Sequence, residues 1–232
     1  MKIIKNEKLI KRNATIGKIA SLVGLVVLAG GMYLSFKKPE LFSWSLGALV
    51  LGFAMTQVSM YFGNRWGRHP RPDEQLDAAL KGLPGEVTLY HYKSPVSHLL
   101  VGPVGVWILL PYHQKGKITY RNNRWKGSGG GFLQGYMRIF GQESLGRPDI
   151  EAGIEAASLE KFFKKNFGQD EAIPPIRAAL VFLNPSIEID AEGSPLPAMQ
   201  VKKLKDFLRK AAKETPFSST ELARIKAVLP DE

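Results

Sequence analysis

Two long apolar segments dominate the first third of the chain. Residues 19–36 and residues 41–64 contain no charged side chain, over 18 and 24 positions respectively. At 1.5 Å per residue they would form helices of roughly 27 and 36 Å, long enough to cross a hydrocarbon core of about 30 Å. A short charged step at residues 37–40 separates them. The pattern therefore predicts an antiparallel transmembrane hairpin, with helices at residues 15–36 and 41–63.

Two other interpretations of these segments are less favoured. A pair of buried helices in a soluble protein would need a larger globule around them than the rest of the chain provides. A cleaved signal peptide would explain only the first segment, and no A-x-A-like cleavage site precedes Lys37. Aromatic residues near the segment ends also suit the interfacial belts of membrane proteins. These residues are Tyr33, Trp44, Tyr61 and Trp66.

Small side chains recur at helical spacing within both segments. Ala20 and Gly24 lie four positions apart in the first segment, and Ala48 and Gly52 do so in the second. Small residues at this spacing let helix backbones approach closely in a membrane. We therefore expect the two helices to pack against each other along these positions.

Positive charge flanks the predicted hairpin mainly on one side. Five Lys or Arg residues precede it, three follow its second helix, and two lie in the connecting loop. The positive-inside tendency predicts that both termini of this multi-pass protein are cytoplasmic, with the hairpin in the plasma membrane. Residues 1–14 then form a basic cytoplasmic N-terminus, and residues 64–72 form a linker. The lipid bilayer is the partner that this topology implies.

The net charge of the chain is distributed unevenly between its N-terminal part and the rest. The formal net charge of +11 suggests nucleic-acid binding at first sight. Residues 1–71, however, contain 11 basic and two acidic side chains, which leaves the rest of the chain at only +2. Most of the charge therefore reports membrane topology. The chain has no cysteine, which excludes a disulfide scaffold, a zinc–thiolate site and a cysteine nucleophile.

Residues 73–232 alternate between helical and strand-like patterns. Helices are predicted at 73–82, 149–167, 199–213 and 219–229, and strands at 87–92, 98–101, 105–110, 117–121, 124–125, 176–183 and 187–190. This order predicts an α/β domain whose mixed sheet is flanked by helices. On the second helix we expect most apolar side chains to face inward, namely Ile150, Ile154, Ala157, Leu159, Phe162 and Phe163.

Two local signals mark the ends of predicted elements. Asn122-Asn123 separates two strand-like runs and suits a tight hairpin, because asparagine tolerates the left-handed backbone that such a turn needs. Ser218 and Glu221 have the spacing of a capping box at the start of the last helix.

Residues 83–118 resemble the nuclease-related domain family, NERD. The matching motifs are Val96-Ser97-His98, Val101-Gly102-Pro103, the run from Gly105 to Leu109, and Gly116-Lys117-Ile118. Weaker likeness extends from Glu74 to Leu229 and includes Arg147-Pro148, the strand 179–182 and the last helix. The resemblance implies the restriction-endonuclease-like PD-(D/E)XK fold, with the core order αβββαβ.

The same resemblance predicts that the nuclease site is degenerate. Family members hold a divalent metal with an Asp and a Glu, and a Lys two residues after the Glu lies on the same side of the strand. Ser97, Leu110 and Tyr112 stand at these three positions here, and only Glu74 matches the glutamate of the first helix. Residues 87–142 contain no Asp or Glu at all. We therefore predict a protein without enzyme activity, cofactor or metal site.

Histidines do not restore a metal site in this interpretation. His91, His98 and His113 could bind a softer metal in principle. His98 matches a structural position of the family, and the other two read as ordinary strand or loop residues. We expect a structural role for them.

The acid-free stretch carries seven positive charges and invites a binding role. The candidate residues for contact with nucleic acid or anionic lipid headgroups are Lys115, Lys117, Arg121, Arg124, Trp125, Lys126 and Arg138. Lys and Arg neutralise phosphates, and an aromatic ring offers a stacking surface. The apolar segment 132–140, with a single cation, could instead lie at a membrane interface.

Three interpretations of this stretch stay open: an ordinary solvated face, membrane docking, or nucleic-acid contact. A metal-dependent nuclease and a nucleic-acid-binding protein tethered to the membrane are the alternatives for the whole chain. The favoured function is a membrane-anchored, catalytically inactive NERD-like domain that acts as a binding or scaffold module, with another protein as a further candidate partner. No small-molecule ligand is predicted.

Overall fold

A computed structural model describes residues 1–128, 145–168, 171–214 and 217–231. The chain divides into two compact units. One unit contains residues 7–71 and is called the hairpin unit here. The other contains residues 1–6 and the described residues from Pro72 onward, and is called the sheet unit.

The hairpin unit consists of two long helices joined by one short turn. Helix α1 (Glu7–Lys37) and helix α2 (Phe42–Phe62) flank a single 3-10 turn at Pro39–Leu41, and a π-helical turn follows at Gly63–Gly67. Both helices are long and apolar enough to cross a membrane. Helix α1 begins earlier than the apolar segment alone suggests, because the preceding Glu, Lys, Leu and Arg residues are all good helix formers.

Close contact between α1 and α2 depends on glycine. A Cβ atom on Gly31 would lie 2.7 Å from the Cβ of Ala48, and one on Gly52 would lie 2.5 Å from the side chain of Leu28. Ser45 on α2 also donates a hydrogen bond of 2.9 Å to the carbonyl oxygen of Gly31. The prediction of close helix packing along small residues is confirmed.

The described residues of the sheet unit form two sheets and four helices. The strands are β1 (Lys2–Lys5), β2 (Thr88–His91), β3 (His98–Gly102), β4 (Gly105–Tyr112), β5 (Lys117–Arg121), β6 (Arg124–Ser128), β7 (Ile176–Phe182), β8 (Glu188–Asp190) and β9 (Ala198–Gln200). The helices are α3 (Pro72–Leu80), α4 (Pro148–Asn166), α5 (Val201–Glu214) and α6 (Ser219–Val228).

The larger sheet has the strand order β1-β2-β3-β4-β7-β9. Strands β2, β3 and β4 are antiparallel neighbours, whereas β1 pairs with β2, β7 with β4, and β9 with β7 in parallel. The prediction of a mixed sheet flanked by helices is confirmed. The smaller sheet has the order β6-β5-β8, so the predicted hairpin lies outside the larger sheet.

Each face of the larger sheet has its own apolar core. Tyr90, Leu99, Ile108 and Leu180 pack on one face with residues of α4 and α6. The alternate positions Leu89, Leu100, Leu109 and Val181 pack on the other face with residues of α3 and α5. Because neighbouring residues of a strand point to opposite faces, the central strands are apolar on both sides, and β3 and the first six residues of β4 are buried.

Two strands and one helix face differ from the sequence prediction. Strand β1 reads as a basic flank in the sequence, and β9 falls at the start of a predicted helix. Ile150 and Ile154 are 47% and 65% exposed, so their predicted inward orientation is wrong. Ala157 is exposed as well, whereas Leu159 and Phe163 face the core as predicted, together with Ala152. A helix cannot bury all of its sides against one sheet.

Both local signals are confirmed. Asn122 and Asn123 have φ angles of 52° and 56°, and they join β5 to β6. The Ser218 hydroxyl accepts a hydrogen bond from the Glu221 amide, and the Glu221 carboxylate accepts one from the Ser218 amide. These contacts complete a capping box at the start of α6.

Candidate functional site

Of the three positions that the NERD resemblance aligns with the nuclease site, Leu110 and Tyr112 lie on β4 and Ser97 lies just before β3. Leu110 is 3% exposed and belongs to the core beneath α4. Tyr112, two residues later on the same side of β4, donates a hydrogen bond of 2.6 Å from its Oη to the Oε2 of Glu151. Ser97 precedes β3, and its carbonyl oxygen accepts a hydrogen bond of 2.9 Å from the Tyr92 amide. Among the described residues, α4 therefore supplies a carboxylate to this neighbourhood through Glu151.

Glu74 comes from the other side of the sheet. It lies near the start of α3, a helix that packs through Leu76 and Leu80 on the face opposite Leu110. Within the described ranges, no group of three or more His, Asp or Glu side chains is arranged to hold a metal ion. Glu151 contacts Tyr112 although α4 begins 36 residues after β4, and this separation in the chain is why the sequence motifs did not point to it.

The candidate basic residues on β5 share a carboxylate partner. Arg121 Nη2 lies 3.0 Å from Asp190 Oδ2, and Lys117 Nζ lies 3.7 Å from the same oxygen. The hydrogen bond from Arg121, helped by the charges of both basic residues, holds the pKa of the Asp190 carboxyl below its ordinary value. Asp190 reaches this position because β8 pairs with β5 in parallel. Part of the predicted positive surface is therefore neutralised by a strand far away in sequence.

The candidate residues on β6 lie on two opposite faces of the strand. Arg124 and Lys126 are exposed, and so is Lys115 in the preceding loop. Trp125 points the other way, is 7% exposed, and its ring centroid lies 5.1 Å from that of Tyr120. Lys115, Arg124 and Lys126 are therefore accessible at the surface, whereas the Trp125 indole is not. Arg138 and the segment 132–140 lie outside the described residues.

A buried network of charged and polar side chains occupies the edge of the larger sheet. Lys5 on β1 lies opposite His91 in the β1–β2 register. Its Nζ donates a hydrogen bond of 3.0 Å to Asp73 Oδ2 on α3 and also contacts the Asp77 carboxylate. Asp73 is fully buried, and the side chain of Lys5 is 18% exposed. The network therefore joins the first strand of the chain to the first helix after the hairpin.

Two histidines extend this network into the sheet. His91 Nε2 lies 2.9 Å from Asp77 Oδ1, and His91 Nδ1 lies 2.7 Å from His98 Nδ1. Both rings are buried, at 0% and 1% exposure. A carboxylate only accepts, so the contact with Asp77 assigns a proton to His91 Nε2. The contact between the two Nδ1 atoms then needs one donor and one acceptor, and hence one proton between them.

Burial and the two neighbouring carboxylates have opposite effects on the pKa of Lys5. Burial by itself lowers the pKa of the ammonium group. Hydrogen bonds to Asp77 and Asp73, together with the charges of both carboxylates, outweigh burial and raise the pKa above its ordinary value of 10.5. Lys5 is therefore charged at neutral pH, and it balances one of the two carboxylates that face it.

Sequence reasoning missed this network because its members lie far apart in the chain. Lys5 looks like one more basic residue before a membrane helix, and Asp73 and Asp77 look like ordinary acidic residues on a short helix. The weak signal was the spacing of Asp73 and Asp77, which places both carboxylates on one side of α3.

Comparisons with protein-family models, curated proteins and solved structures give no match for this chain. The likeness to NERD therefore rests on the motifs in residues 83–118.

Proposed function

We propose that this chain is a membrane-anchored, non-catalytic nuclease-related domain that acts as a binding or scaffold module at the cytoplasmic membrane face. The observation that carries the proposal is the position of Leu110. The NERD resemblance requires a metal-binding glutamate there, and a leucine packed in the core occupies it. Tyr112 stands where the family lysine would be, and its hydroxyl donates a hydrogen bond to the Glu151 carboxylate.

The element order supports the fold that this proposal assumes. Helix α3, strands β2, β3 and β4, helix α4 and strand β7 occur in the order αβββαβ, with β5 and β6 of the smaller sheet inserted between β4 and α4. Strands β2 to β4 are antiparallel and β7 is parallel to β4, which gives one mixed sheet. Strands β1 and β9 extend this sheet at its two edges.

Chain connectivity supports the proposed topology. Strand β1 ends at Lys5, immediately before α1, and it pairs with β2, which follows the hairpin unit. If α1 and α2 cross a bilayer, the two ends of the hairpin must then be on the same side. The excess of Lys and Arg at these two ends favours the cytoplasmic side.

A nuclease assay on the full chain in lipid nanodiscs tests the absence of catalysis. We expect no degradation of DNA or RNA above the buffer rate with Mg²⁺ or Mn²⁺, because one carboxylate beside a tyrosine does not provide the ligands these metals need. Metal-dependent degradation that is lost in Glu151→Gln would contradict the proposal. Glu160→Gln is the matched control, since Glu160 lies on the same helix and its described ion pair is with Lys164 alone.

Cross-linking in native membranes tests the binding role directly. We expect one defined protein to be enriched with the wild-type chain and with Glu151→Gln, because the proposed role needs no catalytic carboxylate. Recovery of the chain without any partner, combined with metal-dependent nuclease activity, would favour the enzyme instead.

Nucleic-acid or anionic-lipid contact is a second candidate because Lys115, Arg124 and Lys126 are exposed. Such binding should weaken steeply with salt and fall in the Arg124→Glu/Lys126→Glu double variant. A matched double variant at Lys164 and Lys165, exposed on α4, should have little effect.

A further inference from the structure

A partly enclosed cavity lies beside α5 and takes no part in the sites described above. Its volume is about 380 Å³, within the range of small-molecule sites. Its wall includes Leu83, Val87, Val104 and Leu208, each of which is at most 6% exposed. At the ~30 Å³ that one water molecule occupies in the liquid, the space holds roughly a dozen non-hydrogen atoms.

Close backbone packing holds the wall of this cavity in place. A Cβ atom on Gly85 would lie 2.9 Å from Pro103, and one on Gly102 would lie 2.8 Å from Val87. Gly85 also has a φ angle of +88°, which favours glycine. The loop that contains Gly85 has little freedom to collapse into the space.

Two long side chains from neighbouring helices also fix this loop. Lys205 on α5 donates a hydrogen bond of 2.6 Å to the carbonyl oxygen of Lys81. Lys226 on α6 donates one of 3.1 Å to the carbonyl oxygen of Glu86. Both ends of the loop are tied down, so the cavity is formed before any ligand arrives. A pre-formed site avoids the ordering cost of binding.

The polar part of the cavity is entirely cationic among the described residues that line it. Arg209 and Lys213 lie one helical turn apart on α5, and no acidic side chain joins them in the lining. Arg209 Nη1 has a single long contact of 3.4 Å with the exposed Asp206, which leaves other guanidinium hydrogens for a ligand. A cleft on the opposite side of α5, by contrast, is lined by Asp206 as well as Lys203 and Lys210.

We infer that this cavity binds a single-chain apolar carboxylate, in the class of medium-chain fatty acids. The apolar tail fills the space between the loop and Leu208, and the carboxylate lies at the rim between Arg209 and Lys213. Two adjacent cations over an apolar pocket match an anionic head on an apolar tail. The inference uses only the sheet unit and does not depend on the proposed function.

Photo-crosslinking with a diazirine analogue of decanoate tests this assignment. The full chain is held in nanodiscs of zwitterionic lipid, and the labelled peptides are identified by mass spectrometry. We expect labelling within residues 83–104 and 208–213, with competition by unlabelled decanoate. Decanol should compete about tenfold less well, since it lacks the charge-assisted hydrogen bonds. Equal competition by decanol, or labelling confined to other parts of the sheet unit, would overturn the inference.

Substitutions separate the tail and head contacts. Ala212→Trp fills the cavity and should abolish labelling of these peptides. Arg209→Glu/Lys213→Glu alters only exposed rim residues, and should weaken labelling by about tenfold or more while the circular dichroism spectrum is unchanged. Lys203→Glu/Lys210→Glu makes the same change of charge on the other side of α5 and should keep labelling within about twofold of wild type. Equal losses in the two charge variants would show that labelling reports only the net charge of α5.

Discussion

At the scale of single residues, Lys5 has a structural role that its position in the sequence does not reveal. It sits on a strand of four residues, and yet it meets two carboxylates of α3 in a largely buried setting. Charges in such a setting need their partners, since the cost of desolvation is recovered only through good geometry. Lys5 therefore contributes to the attachment of β1 to the sheet unit.

Lys5→Met should loosen β1 selectively. Removing the ammonium group leaves Asp73 and Asp77 without this cation, and we expect the sheet unit to lose about 3 kcal/mol of stability. Hydrogen–deuterium exchange should be faster in residues 2–6 than in wild type. Lys2→Met is the matched control, because Lys2 lies on the same strand and is exposed. If both variants exchange alike, the buried network does not hold the strand.

Tyr90 should make the free energy of unfolding depend on pH in the alkaline range. Burial raises the pKa of its phenol to about 12, and the charge of Asp231 acts in the same direction. In the unfolded chain the phenol ionises near its ordinary pKa of 10.0, so the unfolded state binds fewer protons between these two values. Stability should therefore fall as pH rises from about 10 to about 12, by about 2 kcal/mol from this group.

Tyr90→Phe should remove this part of the alkaline loss. The measurement is urea unfolding followed by circular dichroism at several alkaline pH values. Tyr120→Phe, which changes a partly exposed tyrosine on β5, should leave the pH dependence of wild type in place. Identical pH profiles for wild type and Tyr90→Phe would refute the assignment to Tyr90.

At the scale of elements, the pairing of α1 with α2 follows from where glycine lies on each helix. Gly31 and Gly52 face the partner helix so closely that a Cβ atom has no room, and Gly24 leaves room for one only if Met55 moves by a few tenths of an ångström, whereas Gly30 and Gly47 have open space. Spacing in the sequence predicted Gly24 and Gly52. It could not predict Gly31, because Gly30 beside it looks the same until the helices are docked.

Cysteine cross-linking tests this pairing in a chain that has no native cysteine. A Cβ atom at position 24 would lie 3.1 Å from the Cβ of Met55, a few tenths of an ångström short of the separation found in disulfides. A small shift of the helices allows Gly24→Cys/Met55→Cys to oxidise, and the two fragments should then stay joined after trypsin cuts the chain after Lys37. Gly30→Cys/Gly47→Cys should yield separate fragments. Cross-linking of the second pair but not of the first would mean a different helix interface.

The sequence predicted the positions of most helices and strands, but not which strands pair with each other. Apolar runs and turn residues are local, so the strands around Asn122-Asn123 and the capped helix α6 were predicted. Strand β1 has no such signal, because its pairing with β2 joins positions 86 residues apart. Asp190 likewise became a partner of Arg121 only through the β5–β8 pairing.

At the scale of the whole molecule, the hairpin unit begins and ends next to the sheet unit along the chain. Strand β1 precedes α1, and α3 follows the hairpin, while Lys5 joins these two elements through Asp73. If the two helices cross a membrane, the N-terminus and the later chain must share one side. The residues between the helices must then be on the other side.

Labelling of single cysteines tests this topology. Lys2→Cys and Lys165→Cys should react with a membrane-impermeant maleimide only after the membrane is permeabilised, and Lys38→Cys should react in intact cells. Lys165 lies on α4 in the sheet unit and is exposed, which makes it a suitable reporter. Labelling of Lys2→Cys and Lys38→Cys from the same side would contradict the membrane hairpin.

The sequence by itself determined the apolar hairpin, the mixed α/β character of the sheet unit, and the absence of any Asp or Glu between residues 87 and 142. These features depend on the composition and spacing of nearby residues, which the sequence displays directly. Only the tertiary structure decided that Lys5 meets Asp73 and Asp77, that His91 contacts His98, and that a cationic rim borders a cavity beside α5. Each of these contacts brings together residues from separate elements, and chain order alone does not specify which elements become neighbours.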